Sequence, residues 1–184
     1  MIIVEGPDGA GKSTLIRELV DVTGFEVAPR VVSKETEAMV DLKVWVEDNL
    51  DLGPHDAIYD RYRLISEFIY GPTLRITQQP GFTDPDWVLH HLSKLYKNDP
   101  IIIYCLPPLD TVRYNLEGDA DNTRVVDHIQ QIYTAYLERA SMDLIMRPHR
   151  TIIHDYTDTY PGGTEGLVLG LLADRKIAAE RNTQ

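Results

Sequence analysis

Residues 6–14 read Gly-Pro-Asp-Gly-Ala-Gly-Lys-Ser-Thr, directly after Met1-Ile2-Ile3-Val4-Glu5. Gly6, Gly11, Lys12 and Ser13 fit the spacing G-x-x-x-x-G-K-[ST]. The run before them is short and apolar, as a buried strand is, and Thr14–Val20 places apolar side chains at helical spacing. A turn of this kind between a strand and a helix leaves few architectures open. Its glycines let the backbone curl until the N–H groups converge on phosphate oxygens. Lys12 then reaches the outer phosphates, and the Ser13 hydroxyl is a ligand for Mg²⁺. The expectation is a nucleoside triphosphate cradled by Asp8, Gly9, Ala10, Gly11, Lys12, Ser13 and Thr14, with ATP and Mg²⁺ as cofactors. The competing reading is a glycine-rich turn with a fortuitous lysine. A chance match in a chain this long is about one in a hundred at ordinary residue usage, and the strand and helix on either side lower that further.

The remaining composition narrows the class of protein. A chain of 184 residues suffices for one domain with a full core and is short for two. The composition is that of a soluble globular protein. No apolar stretch approaches 18 residues, so no membrane span is expected. The first residues already form the strand feeding the turn, which leaves no room for a targeting segment. The single cysteine, Cys105, excludes internal disulfides and fits a reducing cytoplasm. Lying in an apolar run, it reads as a small buried hydrophobe. A formal net charge of −11 disfavours wrapping extended nucleic acid, because that affinity comes from neutralising phosphates. Small phosphorylated ligands need only a local group of Lys and Arg.

Apolar runs at Met1–Val4, Ala57–Tyr59, Ile101–Leu106 and Thr151–His154 read as buried strands. Val27–Val32, interrupted by Pro29, reads as a fifth. Helical patterns lie between them: one from the turn to about Gly24, one over 34–49, and one after Asp60 with Leu64, Ile65, Phe68 and Ile69 apolar. A fourth starts at Asp84 as N-cap with Pro85 in the first position. Others cover about 110–117, 125–139 and 165–180. Strands alternating with helices call for a parallel sheet covered on both faces, with ligands beyond the carboxyl ends of the strands. The expected fold is therefore α/β: the three-layer P-loop NTPase fold, with five parallel strands, helices on both faces and a helical lid, in one domain over 1–184.

A phosphoryl-transfer site needs a second acid to hold the metal, normally at a neighbouring strand end. Ala57-Ile58-Tyr59-Asp60 supplies it, so Ser13 and Asp60 are the expected magnesium ligands. The alternative for Asp60 is an N-cap for the next helix, and the two roles are compatible.

The combination Glu5-Gly6-x-Asp8-Gly9-x-Gly11-Lys12-Ser13-Thr14 with Asp60-Arg61-Tyr62 resembles thymidylate kinase and related nucleoside and nucleotide kinases. The stretch Asp60-Arg61-Tyr62-x-x-Ile65-Ser66-Glu67-x-x-Tyr70-Gly71-Pro72 is similar to the small bacteriophage members. The likeness spans residues 1 to about 140 and rests on those two motifs. It implies that Asp8 lies near the acceptor sugar and the metal, and that Arg61 holds the acceptor phosphate. It also implies a base stacked on Phe68, a ribose 2′ position crowded by Tyr70, and Tyr62 beside the acceptor. Where thymidylate kinases carry Arg-Glu-Pro-Gly-Gly, this chain reads Ala28-Pro29-Arg30-Val31-Val32-Ser33-Lys34. The family likeness further suggests a homodimer.

Residues 113–124 suit a lid: Arg113 on a helix, a polar hinge containing Gly118, and Arg124 opening the next helix. Cations that close over reacting phosphates accelerate transfer, so Lys12, Asp60, Arg61, Arg113 and Arg124 form the expected catalytic set. The alternative is a solvated helix connection whose arginines are surface charges. The remaining candidates read as structural. His90 and His91 are adjacent on a helix and face different ways, and His149 and His154 lack metal-ligand spacing. Tyr133 and Tyr136 pack on the sheet, with Tyr136 also able to face the acceptor. Trp45 and Trp87 anchor helices, and the 155–158 turn borders the adenine pocket.

The leading expectation is transfer of the ATP γ-phosphoryl group to a deoxynucleoside monophosphate of thymidylate type. A deoxynucleoside kinase acting on a 5′-hydroxyl comes next, with Glu5 or Asp60 as base. A polynucleotide or modified-base kinase also stays open. From a different class comes a non-catalytic ATP-binding regulatory module. Guanine-specific switches need an Asn-Lys-x-Asp run, which this chain lacks.

Overall fold

The computed structural model describes residues 1–29, 46, 56–74, 84–117, 123–158 and 163–182. The strands are β1 (Ile2–Glu5), β2 (Glu26–Val27), β3 (Ala57–Asp60), β4 (Ile101–Cys105) and β5 (Thr151–His154). The helices, numbered in chain order, are α1 (Lys12–Thr23), α2 (Arg63–Leu74), α3 (Pro85–Lys97), α4 (Leu109–Leu116), α5 (Thr123–Met146) and α6 (Gly163–Asn182).

The strands form one sheet in the order β2-β3-β1-β4-β5, and every pairing is parallel. Successive side chains of a strand point to opposite faces, yet all of β1 and β4 is buried. Both faces must therefore be covered, as unbroken apolar strands in parallel sheets require. Two groups of helices do this: α1 packs with α6, while α2 packs with α5 and α3. The core gathers Ile2, Ile3, Val4, Leu15, Leu19, Ile58, Ile65, Ile102 and Ile103 around the central strand.

Local chemistry fixes the helix ends. Gly11 (φ 80°) precedes α1 and Gly24 (φ 69°) closes it, both left-handed. Asp84 caps α3, its side chain accepting from the N–H groups of Asp86 and Trp87, with Pro85 in the first turn. Of the strand expected over 27–32, the described residues show Glu26–Val27 paired and 28–29 outside the strand, while 30–32 lie outside the described residues. Glu26 and Val27 are exposed at the sheet edge, and Pro29 offers no N–H to continue the ladder. The helix expected over 125–139 runs on to Met146, because buried Ala140 and Asp143 keep its inner face in contact with the molecule. The helix expected over 34–49, apart from buried Val46, lies outside the described residues, as do Arg30, Trp45 and the hinge at 118–122.

Among the described residues, no helix is long and apolar enough to cross a membrane. Cys105 is fully buried, and burial pushes its thiol up to about 12. His91 is buried, stacks on Trp87 at 4.2 Å between centroids, and meets the Trp87 carbonyl at 2.7 Å. His154 bonds the Thr164 hydroxyl at 2.7 Å.

Candidate active site

β1 lies between β3 and β4, and its carboxyl end carries the glycine-rich turn. Two glycines there have no substitute. Gly6 adopts φ 140°, and a Cβ on it would stand 2.5 Å from the Cys105 carbonyl oxygen. Gly11 adopts φ 80°, and its Cβ would stand 2.9 Å from the Tyr156 ring. The turn therefore runs flush against β4 on one side and under Tyr156 on the other. Asn115, from the end of α4, donates its amide to the Gly9 carbonyl and to the Tyr156 hydroxyl, each at 2.7 Å.

Lys12 is buried and donates to the Pro7 carbonyl at 2.6 Å. Burial and neighbouring Arg61 pull its ammonium down to about 8, against the opposing influence of Asp8, Cys105 and Asp60. Ser13 and Thr14 are exposed at the start of α1. Asp60 ends β3 in register with Val4. An exposed hydroxyl and a strand-end carboxylate are hard oxygen donors. They suit Mg²⁺, which takes few protein ligands and retains waters. Among the described residues no group of three or more His, Cys, Asp or Glu side chains is placed to hold a metal.

Asp8, Arg61 and Tyr70 meet beside the turn. The Arg61 guanidinium donates to Asp8 at 2.6 Å, to the Tyr70 hydroxyl at 2.7 Å and to the Gly6 carbonyl at 3.3 Å. It lies 4.6 Å from the Tyr70 ring centroid, a cation over an aromatic face. Tyr70 donates to the other Asp8 oxygen at 3.1 Å. Burial alone would raise the Asp8 carboxyl. The adjacent Arg61 and Lys12 charges outweigh it and hold the group below the usual carboxylate range. Arg61 takes a left-handed backbone (φ 65°), uncommon for a residue with a Cβ.

The other named residues lie apart from this group. Tyr62 is fully buried with its ring edge-on to Tyr59 at 5.4 Å, so its side chain faces the core. Phe68 is half-buried on α2 and packs against the core. Arg113 is exposed and joins helices, donating to Asp110 at 3.3 Å and to Gln130 of α5 at 2.8 Å. Arg124 is exposed at the start of α5. Tyr133 donates to the Pro107 carbonyl at 2.9 Å.

Three contributors have contacts that the residue pattern does not give, although Glu5 reads there as a candidate base and Tyr156 lies in the turn expected to border the adenine pocket. Asn115 and Tyr156 touch the turn directly. Glu5 is fully buried, accepting from the Tyr62 N–H at 2.6 Å and from the Tyr136 hydroxyl at 3.1 Å. Burial raises its carboxyl to about 7, even though those hydrogen bonds and the Arg61 charge favour ionisation. A separate cavity of about 800 Å³ lies between β5 and α6, lined by Ile153, Asp155, Tyr156, Thr164 and Leu167 among others. Tyr156 borders both this cavity and the turn.

No family model matches the chain, and no curated protein does. Solved structures do. The YorR protein of Bacillus subtilis, in complex with phosphorylated GDP, is 17% identical over 94% of this chain and 95% of its own, with a TM-score of 0.66. The deoxyadenosine kinase of M. mycoides with bound dCTP is 16% identical over 95% of this chain and 100% of its own, with a TM-score of 0.56. The same kinase with bound dATP is 18% identical over 94% and 98%, with a TM-score of 0.56. At such identities the likeness speaks for architecture, and this chain has the α/β P-loop fold that those proteins share.

Proposed function

We propose that the protein is an ATP-dependent kinase that moves the γ-phosphoryl group to a deoxynucleoside monophosphate. The observation that carries this reading is the pairing of two cations around one turn. Lys12 emerges from the turn itself, while Arg61 reaches it from β3 with its guanidinium against Gly6 and Asp8. Phosphoryl transfer asks little covalent chemistry of the protein. Positioning and neutralisation supply most of the rate.

In this reading Lys12 binds the outer donor phosphates and Arg61 orients the acceptor phosphate. Asp8 and Tyr70 hold the guanidinium fork in place. Ser13 and Asp60 hold Mg²⁺, which when bound neutralises oxygens of the donor phosphates. Arg113 and Arg124, flanking 118–122, serve as lid cations. The attacking oxygen of a monophosphate is already anionic near neutral pH, so no strong base is required. Tyr70, which bonds Asp8 and Arg61, is assigned to crowd the ribose 2′ position of the acceptor, and Phe68 of the same helix to stack on its base.

A second reading, a kinase acting on the 5′-hydroxyl of a deoxynucleoside, draws support from the architecture shared with deoxyadenosine kinase. A hydroxyl acceptor needs a base. Glu5 is enclosed with hydrogen bonds to both oxygens, so that role falls to Asp60. A coupled ADP-release assay over deoxynucleosides and their monophosphates separates the two readings. Turnover confined to monophosphates is expected; turnover of nucleosides alone selects the second, and turnover of neither removes both.

A further inference from the structure

Three consecutive residues at the end of β1 grip the turn that carries Arg61. The Val4 carbonyl accepts from the Arg61 N–H at 2.9 Å. The Glu5 carboxylate accepts from the next amide, that of Tyr62, at 2.6 Å. The Gly6 carbonyl accepts from the Arg61 guanidinium at 3.3 and 3.4 Å. On the β1 side of the three holds only that of Glu5 comes from a side chain, so a change at Glu5 removes it while leaving Arg61 itself intact. A residue in the left-handed region persists where its surroundings over-determine it, at a cost of about 1–3 kcal/mol. The Glu5–Tyr62 bond is part of that over-determination. Its second oxygen takes the hydroxyl of Tyr136, 131 positions along the chain on α5. The Tyr136 ring in turn meets Tyr70 edge-on at 6.1 Å, and Tyr70 is a direct partner of Arg61. Glu5 therefore reaches Arg61 by two routes, through the backbone and through α5.

We propose that Glu5 is a positioning residue for Arg61: clamping the Tyr62 amide, and bracing Tyr136 behind Tyr70, it fixes where the guanidinium meets the acceptor phosphate. This rests on the kinase reading above. Glu5 does not touch substrate, and its removal moves the acceptor side of the reaction while leaving the donor side alone.

The test compares Glu5→Asp, which withdraws the carboxylate by one methylene, Glu5→Ala and Glu5→Gln, each alone and combined with Arg61→Ala. Misplacement of about 1 Å costs on the order of 100-fold. Glu5→Asp and Glu5→Ala are accordingly expected to lower kcat/KM for the acceptor by about 10- to 100-fold, with KM for ATP within about twofold. Glu5→Gln keeps an acceptor oxygen for the Tyr62 amide and is expected to recover most of that loss. In the Arg61→Ala background the Glu5 changes are expected to cost almost nothing more, because coupled residues are not additive. Equal losses on donor and acceptor, or full additivity with Arg61→Ala, overturn the proposal. A direct readout stands apart from turnover: the ¹⁵N NMR signal of the Arg61 Nε–H is expected to move in Glu5→Asp and to stay in Glu5→Gln. If the wild type phosphorylates no acceptor, the kinase reading falls and this signal alone decides the role of Glu5. An unmoved Arg61 signal in Glu5→Asp rejects it.

Discussion

Gly11 is where the turn meets the rest of the protein most tightly. Its left-handed backbone costs a residue with a Cβ about 1–2 kcal/mol, and the added carbon would stand 2.9 Å from two carbons of the Tyr156 ring. Gly11→Ala is therefore expected to lower the melting temperature and to displace Tyr156 from the turn. The rise in melting temperature on adding Mg·ATP should shrink with it, because that rise follows ln(1 + [L]/Kd). Differential scanning fluorimetry with and without nucleotide measures both effects. An undiminished ATP-dependent rise would mean that the turn under Tyr156 is not where the donor binds. Arg61 poses the complementary case: a bulky residue holds a backbone that glycine would adopt freely. The guanidinium contacts to Gly6, Asp8 and Tyr70 are what offset its strain.

Polar side chains, one exposed and one buried, help hold the helices in place. Asp84 caps α3 with two hydrogen bonds, and Asp84→Ala should cost about 1 kcal/mol. Asp143 lies in the buried face of α5 and accepts from the hydroxyls of Tyr96 and Tyr104 and from Arg139. Removing it strands those donors and leaves a cation unpaired, so Asp143→Ala should cost about 3 kcal/mol. Urea denaturation ranks the two, and the reverse order would contradict the packing of α5 on the sheet. These elements also show what a linear reading can reach. β1 and β4 are continuous apolar runs because a parallel sheet buries both faces, and β3 is apolar up to Asp60, so they are legible. β5, an edge strand, is legible from its Ile152-Ile153 pair. β2 carries no such signature, being two exposed residues at an edge. The last turns of α5 hide because Met142, Ile145 and Met146 are exposed apolar residues, which blur the helical period. Within the site, the glycine-rich turn and Asp60 are contiguous motifs and stand out. The Glu5–Tyr136 and Asn115–Tyr156 bonds join positions 131 and 41 residues apart, and no periodicity announces such partners.

For the molecule as a whole, two buried ionisable groups near the site shape the dependence of stability on pH. Glu5 is raised to about 7 by burial from an ordinary 4.5. The native state thus holds a proton that the unfolded chain releases first. The stability this contributes is fully present below pH 4.5 and is lost as pH rises through 7, a change on the order of 3 kcal/mol. Lys12, lowered to about 8 from 10.5, acts in the opposite sense at higher pH. Its native form gives up the proton first, so stability recovers between about 8 and 10.5. Urea midpoints across pH 4.5–10.5 should trace a minimum between about pH 7 and 8. Glu5→Gln should flatten the descending limb, and an unchanged limb would show that Glu5 is not its source. The grip of residues 4–6 on residues 60–62 carries a consequence for redesign. On the proposed reading the metal-side carboxylate, the acceptor cation and the phosphate cradle are tied to one strand end, and they form a chassis that stays put as long as Tyr70 of α2, which bonds Arg61 and Asp8, is kept. Retargeting the proposed kinase to other acceptors should therefore begin at Phe68, which makes none of the hydrogen bonds that hold Arg61.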